Sequence, residues 1–405
     1  IFFKLGCISF GGPAAHLVFF HQIFVNKLKW LSETEYVQLV ALTQILPGPS
    51  SSQVGIAIGF IKQGYWGSII AWVGFTLPSF LFMTVAAILS QHYFNQLPLQ
   101  FFHVIQLMVL AVVIWAFWQM LQNFCNEIWQ YLLMLASAFF IYSSSLAFSQ
   151  ILLILVAALI GIIFSKKLKN NKQLKSQLST SNESSKNQSA DSTNKIILSQ
   201  RPKHKSYLWL ILFMLPFIGL PIVQHYFLTA NIPSIEGLYY SASMVFGGGY
   251  IILPLLYQDF VSTGLISNQQ FDLGYAITQL MPGPLFSFAS YIGALLHFTD
   301  SMWINAIIAT IIIFLPSFFL IWGALPYWAW LMRQKNIIYA IAGINAAVIG
   351  LLLCLIVQMG EKYVQSWVDL IFLIFIILLL RTRLPIVITL LGSGIGYFLL
   401  LLLVS

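Results

Sequence analysis

Two short segments, Pro47-Gly48-Pro49 and Pro282-Gly283-Pro284, join strong helix breakers to side chains that can donate hydrogen bonds. Proline removes a backbone N–H, and the central glycine tolerates conformations other residues resist. Each segment falls inside an apolar stretch, 36–60 and 270–298, so the break lies at membrane depth. There each unpaired backbone group costs several kcal/mol unless it is buried in protein or faces water. A helix restarting after the break would aim free amides and the positive end of its dipole into the protein, which makes an anion site without a fixed charge. Donors stand beside each break: Thr43, Gln44, Ser50, Ser51, Ser52 and Gln53 in one copy, and Thr278, Gln279, Ser287 and Ser290 in the other. The competing reading is that the prolines only kink packed helices, as Pro78 and Pro316 would, while Ser and Thr bond to their own backbone.

Glycines at 11, 12 and 247–249 (Gly11, Gly12, Gly247, Gly248, Gly249) either let helices approach closely or expose backbone amides to a ligand. No Gly-Lys-Ser or Gly-Lys-Thr follows, so a nucleotide-phosphate loop is not implied. Ionisable residues in or near the apolar segments are few, and such residues are functional suspects. Lys4 could attract an anion; Asp259 and Asp272 could carry a coupling proton; each could equally sit at the interface with its charge in water. His16 and His21 could bind a proton or anion, but are expected to be interfacial. No His-Glu-x-x-His, paired intramembrane aspartates or serine with a credible base is present, so no catalytic residue is assigned and an enzyme is not expected. Cys7, Cys125 and Cys354 stand singly, which suggests neither a disulfide framework nor a metal site, and no cofactor is implied.

The elements that must position these groups follow from composition. Over 405 residues the chain is 59% hydrophobic and only 7% charged, against about 25% charged in soluble domains. Its apolar runs approach the roughly 20 residues a helix needs to cross a bilayer, and the long ones do not alternate as barrel strands would. The bilayer is therefore the expected partner of the surface. The formal charge of +8 resides in residues 165–206, which hold ten Lys or Arg against Glu183 and Asp191. That segment is rich in Ser, Asn, Gln and Lys, cannot bury a core, and reads as a disordered cytoplasmic linker rather than a nucleic-acid module. The chain opens on Ile1 rather than methionine, so an N-terminal stretch is expected to precede it.

The two sides of the linker repeat one another at an offset of about 235 residues. Phe10-Gly11-Gly12-Pro13 answers Phe246-Gly247-Gly248-Gly249, and Val25 with Trp30-Leu31-Ser32 answers Val261 with Leu265-Ile266-Ser267. Thr43 to Pro49 answers Thr278 to Pro284, Ile58-Gly59 answers Ile292-Gly293, and Leu77-Pro78-Ser79-Phe80 answers Leu315-Pro316-Ser317-Phe318. The expected fold is an all-α polytopic membrane protein of two homologous repeats, each of about six helical segments, with one extra helix. Its domains are 1–164, the linker 165–206, a connecting segment 207–228, and 229–405. If all thirteen segments cross, the extra one inverts the second repeat, as in many secondary transporters. A cytoplasmic linker then puts Lys62, Arg333, Lys335, Arg381 and Arg383 inside but leaves Lys27 and Lys29 outside. Re-entrant Pro-Gly-Pro hairpins, with 207–228 not crossing, would bring every basic loop inside and keep the inversion.

The order Phe-Gly-Gly-Pro, Trp-Leu-Ser, Gln-x-x-Pro-Gly-Pro and Leu-Pro-Ser-Phe, repeated with Phe-Gly-Gly-Gly, resembles the chromate transporter family in its long, fused form. The resemblance implies export of chromate across the inner (cytoplasmic) membrane of a bacterium, chromate resistance, sulfate as a look-alike anion, and the proton gradient as energy source. A transporter of sulfate or another small inorganic anion is the alternative, and a homodimer remains open. In the family pattern an acid precedes Phe-Val ahead of Trp-Leu-Ser; Ile23 stands there in the first half, while Asp259 keeps it in the second.

Overall fold

The computed structural model describes residues 1–143, 149–167, 206–227, 231–246, 252–331, 334–382 and 384–404. Residues 168–205 of the basic linker and the glycines Gly247, Gly248 and Gly249 lie outside these residues, whereas 165–167 and Ser206, counted with the linker from sequence, are helical. Every regular element among them is helical, which bears out an all-α polytopic membrane protein. Among the described residues five helices are long and apolar enough to cross a membrane: Ser50–Tyr93, Leu99–Phe124, Ser206–Tyr226, Met302–Tyr327 and Asn336–Tyr363. Outward-facing Ile70, Phe82, Phe139, Ile163, Ile218 and Ile371 are all more than half exposed, a surface that lipid rather than water can solvate.

Short elements open the first repeat: α1 (Phe2–Ile8), then α2 (Gly12–Phe20), which runs into a π-helical turn, His21–Lys27. The break between α1 and α2 needs glycine, since Gly11 and Gly12 have φ of 98° and 76°. Next come α3 (Glu33–Ile45) and α4 (Ser50–Tyr93), the latter reversing at non-helical Gln63 and Gly64. The reversal brings Gly59 against Gly67, where an added Cβ on Gly59 would stand 2.3 Å from the Gly67 carbonyl oxygen. The repeat closes with α5 (Leu99–Phe124), α6 (Ile128–Ser143) and α7 (Ser149–Lys167).

A connecting helix, α8 (Ser206–Phe227), precedes the second repeat. That repeat runs through α9 (Ile232–Ser243), α10 (Ile252–Leu256), a second π-helical turn (Tyr257–Val261), α11 (Asn268–Leu280) and α12 (Phe288–Leu295). It ends with α13 (Met302–Ala324), the short α14 (Trp328–Leu331), α15 (Lys335–Tyr363), α16 (Trp367–Leu380) and α17 (Ile386–Val404).

The local chemistry of the repeats matches closely. Both π-turns bury a phenylalanine at the same register, Phe24 and Phe260, each 0% exposed. Both following helices have 13 residues and start with a capping box, Ser32 with Glu35 and Ser267 with Gln270. The serine side chain accepts the third amide of its helix while the Glu or Gln side chain accepts the cap amide, which fixes the helix start. Both helices stop at an extended residue, Leu46 or Met281, just before Pro-Gly-Pro. At 13 residues each is about 20 Å long, too short to cross alone.

Across the repeats, α15 packs on α6 and α7, and α5 packs on α16 and α17. Small residues set the spacing: an added Cβ on Gly343 would meet the Ala157 carbonyl oxygen at 2.1 Å, and one on Gly161 the Tyr339 carbonyl oxygen at 2.2 Å. Such interfaces rely on close backbone approach, because lipid supplies no hydrophobic drive between helices. Pro78 lies in the part of α4 that follows its reversal, and Pro316 lies within α13.

Candidate anion site

Each Pro-Gly-Pro segment is held by the other repeat. The Gly48 amide donates to the Val245 carbonyl at 2.7 Å, and the Gly283 amide donates to the Ser9 carbonyl at 3.0 Å. Ser9 and Val245 are equivalent residues, each immediately preceding its Phe-Gly-Gly element, so the two contacts are related by the repeat. Both glycines need their residue type: φ is 119° at Gly48 and 100° at Gly283.

The Leu-Pro-Ser-Phe elements cross over in the same way. An added Cβ on Gly48 would stand 2.9 Å from Ser317 Oγ, and one on Gly283 would stand 2.8 Å from Ser79 Oγ. Ser79 Oγ donates to the Thr76 carbonyl at 2.9 Å and lies 2.6 Å from Ser287 Oγ, whose proton it can therefore accept. Gln53 Nε2 donates to the Pro47 carbonyl at 2.6 Å and reaches Ser317 Oγ at 3.5 Å. Its amide thus braces the break from inside.

Past the first break the helix restarts as expected, with α4 beginning at Ser50. The first amides of a helix have no intrahelical acceptor, and those of Ser50, Ser51 and Ser52 make this end electropositive. Ser50 is half-buried, whereas Ser51 and Ser52 are buried. The second copy restarts differently, through one 3-10 turn (Leu285–Ser287) before the 8-residue α12. The first repeat therefore presents the longer helix dipole.

Several buried polar atoms on the converging segments have no hydrogen-bond partner: Ser9 Oγ, Ser52 Oγ, Thr76 Oγ1, Gln279 Nε2 and Gln53 Oε1. Unpaired buried polar groups cost about 1–3 kcal/mol each, so these free donors, with Ser52 in the first turn of α4, favour a ligand that accepts hydrogen bonds.

His16 joins the two breaks. Its Nε2 lies 3.1 Å from the Ser9 carbonyl that also accepts Gly283, and its Nδ1 lies 3.2 Å from Ser51 Oγ. The residue is 0% exposed. This overturns the interfacial placement expected for it, because the turn at Ser9 to Gly11 folds α2 back into the protein. His21 does sit outside, against Glu33 at 2.7 Å.

Other sequence candidates are dispersed. Thr43, Thr278 and Ser290 donate to Val40, Gly274 and Ser287 carbonyls, the own-backbone bonding that competed with a ligand role. Gln44 is exposed and faces a shallow surface pocket with His21 and Tyr36. Pro47, Pro49, Pro282 and Pro284 shape the breaks without offering a donor. Lys4 is exposed on α1. Asp259 accepts from Ser241 Oγ at 2.7 Å and lines a cavity of about 760 Å³ between the repeats, with Glu236 and Gln258 of the second and Gln150 of the first. Asp272 is 0% exposed on α11 and accepts from Tyr363 at 2.6 Å. Its Oδ1 makes no well-formed bond, the Gln106 side chain lying beside it at looser geometry. Ser79 and Ser317 join the site although only their recurrence in the repeat marked them, and Ser9 joins it although nothing in the sequence marked it. No group of His, Cys, Asp and Glu able to hold a metal occurs among the described residues.

Two repeats of broken helices, each clasping the other's break around buried donors, define a polytopic membrane protein with the architecture of a transporter. The sequence profile of the chromate transporter family matches residues 1–162 and 235–398, so the chain belongs to that family. It is 27% identical to a probable chromate transport protein of Synechococcus elongatus, over 89% of this chain and 83% of the relative. It is 23% identical to a chromate transport protein of Pseudomonas aeruginosa, over 87% and 77%. An uncharacterized transporter of Methanocaldococcus jannaschii matches at 26% over 98% and 93%. No solved structure matches the chain.

Proposed function

We propose that the protein is a secondary transporter that exports chromate across the inner membrane, driven by the proton gradient, and so confers chromate resistance. Family membership supports chromate transport and a non-enzymatic role. The observation that carries the site is the reciprocal clasp: Gly48 on Val245 and Gly283 on Ser9, with the amino end of α4 and the free hydroxyls of Ser9 and Ser52 converging there. A tetrahedral dianion offers four acceptor oxygens to such donors and needs no buried arginine. The remaining Pro-Gly-Pro neighbours, Gly11, Gly12 and the Gly247–Gly249 run complete the site in this reading.

The repeats are inverted with respect to the membrane, so rocking one against the other exposes the site to alternate sides. Residues 165–206 lie in the cytoplasm. Lys4 draws anions toward the mouth, and Asp259 and Asp272 give protons a route through the second repeat. The experiment is chromate uptake into inverted vesicles with an imposed proton gradient. Uptake above empty vesicles, abolished by collapsing the gradient, is the expected result; uptake equal to empty vesicles refutes the reading. Sulfate offers the same tetrahedral dianion to the same donors, and competition by sulfate against chromate ranks the two.

A further inference from the structure

We propose that His16 binds the proton that accompanies the anion, and that Ser51 conveys its protonation to the anion site; this rests on the transport reading above. The hydrogen bonds dictate how. The Ser9 carbonyl can only accept, so His16 Nε2 carries its hydrogen in either protonation state. In the neutral ring Nδ1 has only a lone pair, so the Ser51 hydroxyl must donate into it across 3.2 Å. A hydroxyl has a single proton, and Ser51 then has none for an anion. Adding a proton at Nδ1 reverses the bond: Nδ1–H donates to Ser51 Oγ, and the Ser51 proton is free to turn toward the amino end of α4. One proton is taken from water and no bond between heavy atoms changes.

Protonation thus adds a donor and a positive charge to one place. An imidazolium buried without a counter-charge is costly, and the surroundings supply none. From α4, His16 meets Ser51 and the edge of the Phe75 ring, 5.4 Å between centroids. On α1, Lys4 is exposed and Cys7 exposed. Along the π-turn His21 is engaged by Glu33, and Lys62 of α4 stands over the Trp30 ring. The second repeat contributes the Gly283 amide, which shares the Ser9 carbonyl. No carboxylate is hydrogen-bonded to His16 among the described residues, so the transported dianion is its natural counter-charge. Asp259 and Asp272 are bonded to Ser241 and Tyr363 instead, and neither touches the clasp. In the second repeat the position of His16 is taken by Ile252, so only one repeat carries this device.

The test is calorimetric titration of the purified full chain with sulfate, which keeps both charges throughout, and with chromate in the alkaline half of a range from about pH 6 to about pH 8. Repeating each titration in two buffers of different ionisation enthalpy reads the protons taken up per anion. For the wild type, about one proton accompanies each anion at the alkaline end, and affinity falls up to about tenfold per pH unit. His16→Gln keeps a donor for Ser9 and an acceptor for Ser51; it is expected to bind weakly at every pH and take up no proton. Ser51→Ala should take up fewer protons per anion across the range and show a correspondingly smaller gain in affinity on acidification. Wild-type binding without proton uptake overturns the proposal even if the His16 variant fails to fold. So does a folded His16→Gln that retains the wild-type slope, and an unchanged gain in Ser51→Ala removes Ser51 from it. Absence of any anion binding by the wild type would instead refute the transport reading, and the proposal with it.

Discussion

Replacing Gly48 by alanine tests the clasp most directly. At φ 119° an L side chain is strained, which costs about 1–3 kcal/mol. The new methyl would also lie 2.5 Å from Gln53 Nε2 and 2.9 Å from Ser317 Oγ. Gln53 must then leave the Pro47 carbonyl, a bond of 2.6 Å, which forfeits about 1 kcal/mol and leaves a carbonyl poorly satisfied. Together the penalty is about 2–4 kcal/mol. If the protein relieves it by opening the break rather than by unfolding, anion affinity drops by about 30- to 1000-fold, since every 1.4 kcal/mol is roughly a factor of ten. The assay is oxyanion binding to purified protein, with thermal stability and membrane yield measured in parallel. Gly264→Ala is the control, because it adds a residue at φ 77° with nothing within 4 Å of the new Cβ; it should leave binding unchanged. A folded Gly48→Ala that binds within about threefold of wild type would refute the reasoning.

Ser79→Ala and Ser287→Ala remove the two ends of one hydroxyl pair, so a double-mutant cycle on anion affinity or stability should show a coupling of about 1 kcal/mol, whereas strict additivity would mean the pair does not interact. Gly343→Leu forces α7 and α15 apart and should lower the melting temperature by an overpacking cost of at least about 1–3 kcal/mol, while protein that remains folded binds the anion as before. Asp259→Asn removes a titratable group from the cavity between the repeats; gradient-driven flux should fall while anion affinity measured without a gradient stays at the wild-type value.

The features legible in the sequence are those set by local chemistry. Proline and glycine break helices wherever they stand, so both restarts were readable, and the capping boxes follow from Ser32 with Glu35 and Ser267 with Gln270. Which side chains face the site was less readable. Thr43 and Gln44 are successive residues of a helix and point about 100° apart, so they could not both look inward; Thr43 is buried and Gln44 exposed. The hydroxyls of Thr43, Thr278 and Ser290 close onto their own helices, a choice that depends on rotamers rather than on residue type. His16 was misplaced because the turn at Gly11 and Gly12 that buries it is a tertiary feature. Ser79 and Ser317 carried a signal in their recurrence at equivalent positions, but matching motifs do not reveal that each serves the opposite repeat.

The clasp also explains how the halves could diverge without losing their common geometry. Its acceptors are the carbonyls of Ser9 and Val245, and its donors are the amides of Gly48 and Gly283. A backbone carbonyl is the same group on serine and valine, so substitution there leaves the contact intact, while the glycines cannot change because of their φ. The scaffold is therefore symmetric where it is built from backbone, and free to become asymmetric where it is built from side chains. The ionisable groups follow that division: His16 faces the site from the first repeat with Ile252 as its counterpart, and Asp259 occupies the second repeat with Ile23 as its counterpart. In the proposed function, a carrier that pairs one anion with a proton needs its titratable groups placed once, not twice, whereas a hinge that alternates access must be present in both halves. Exchanging the His16 and Ile252 side chains would separate these requirements. The clasp should survive, anion binding should persist at reduced affinity, and the proton uptake tied to Ser51 should vanish, because the exchanged histidine would have no Ser51 beside it.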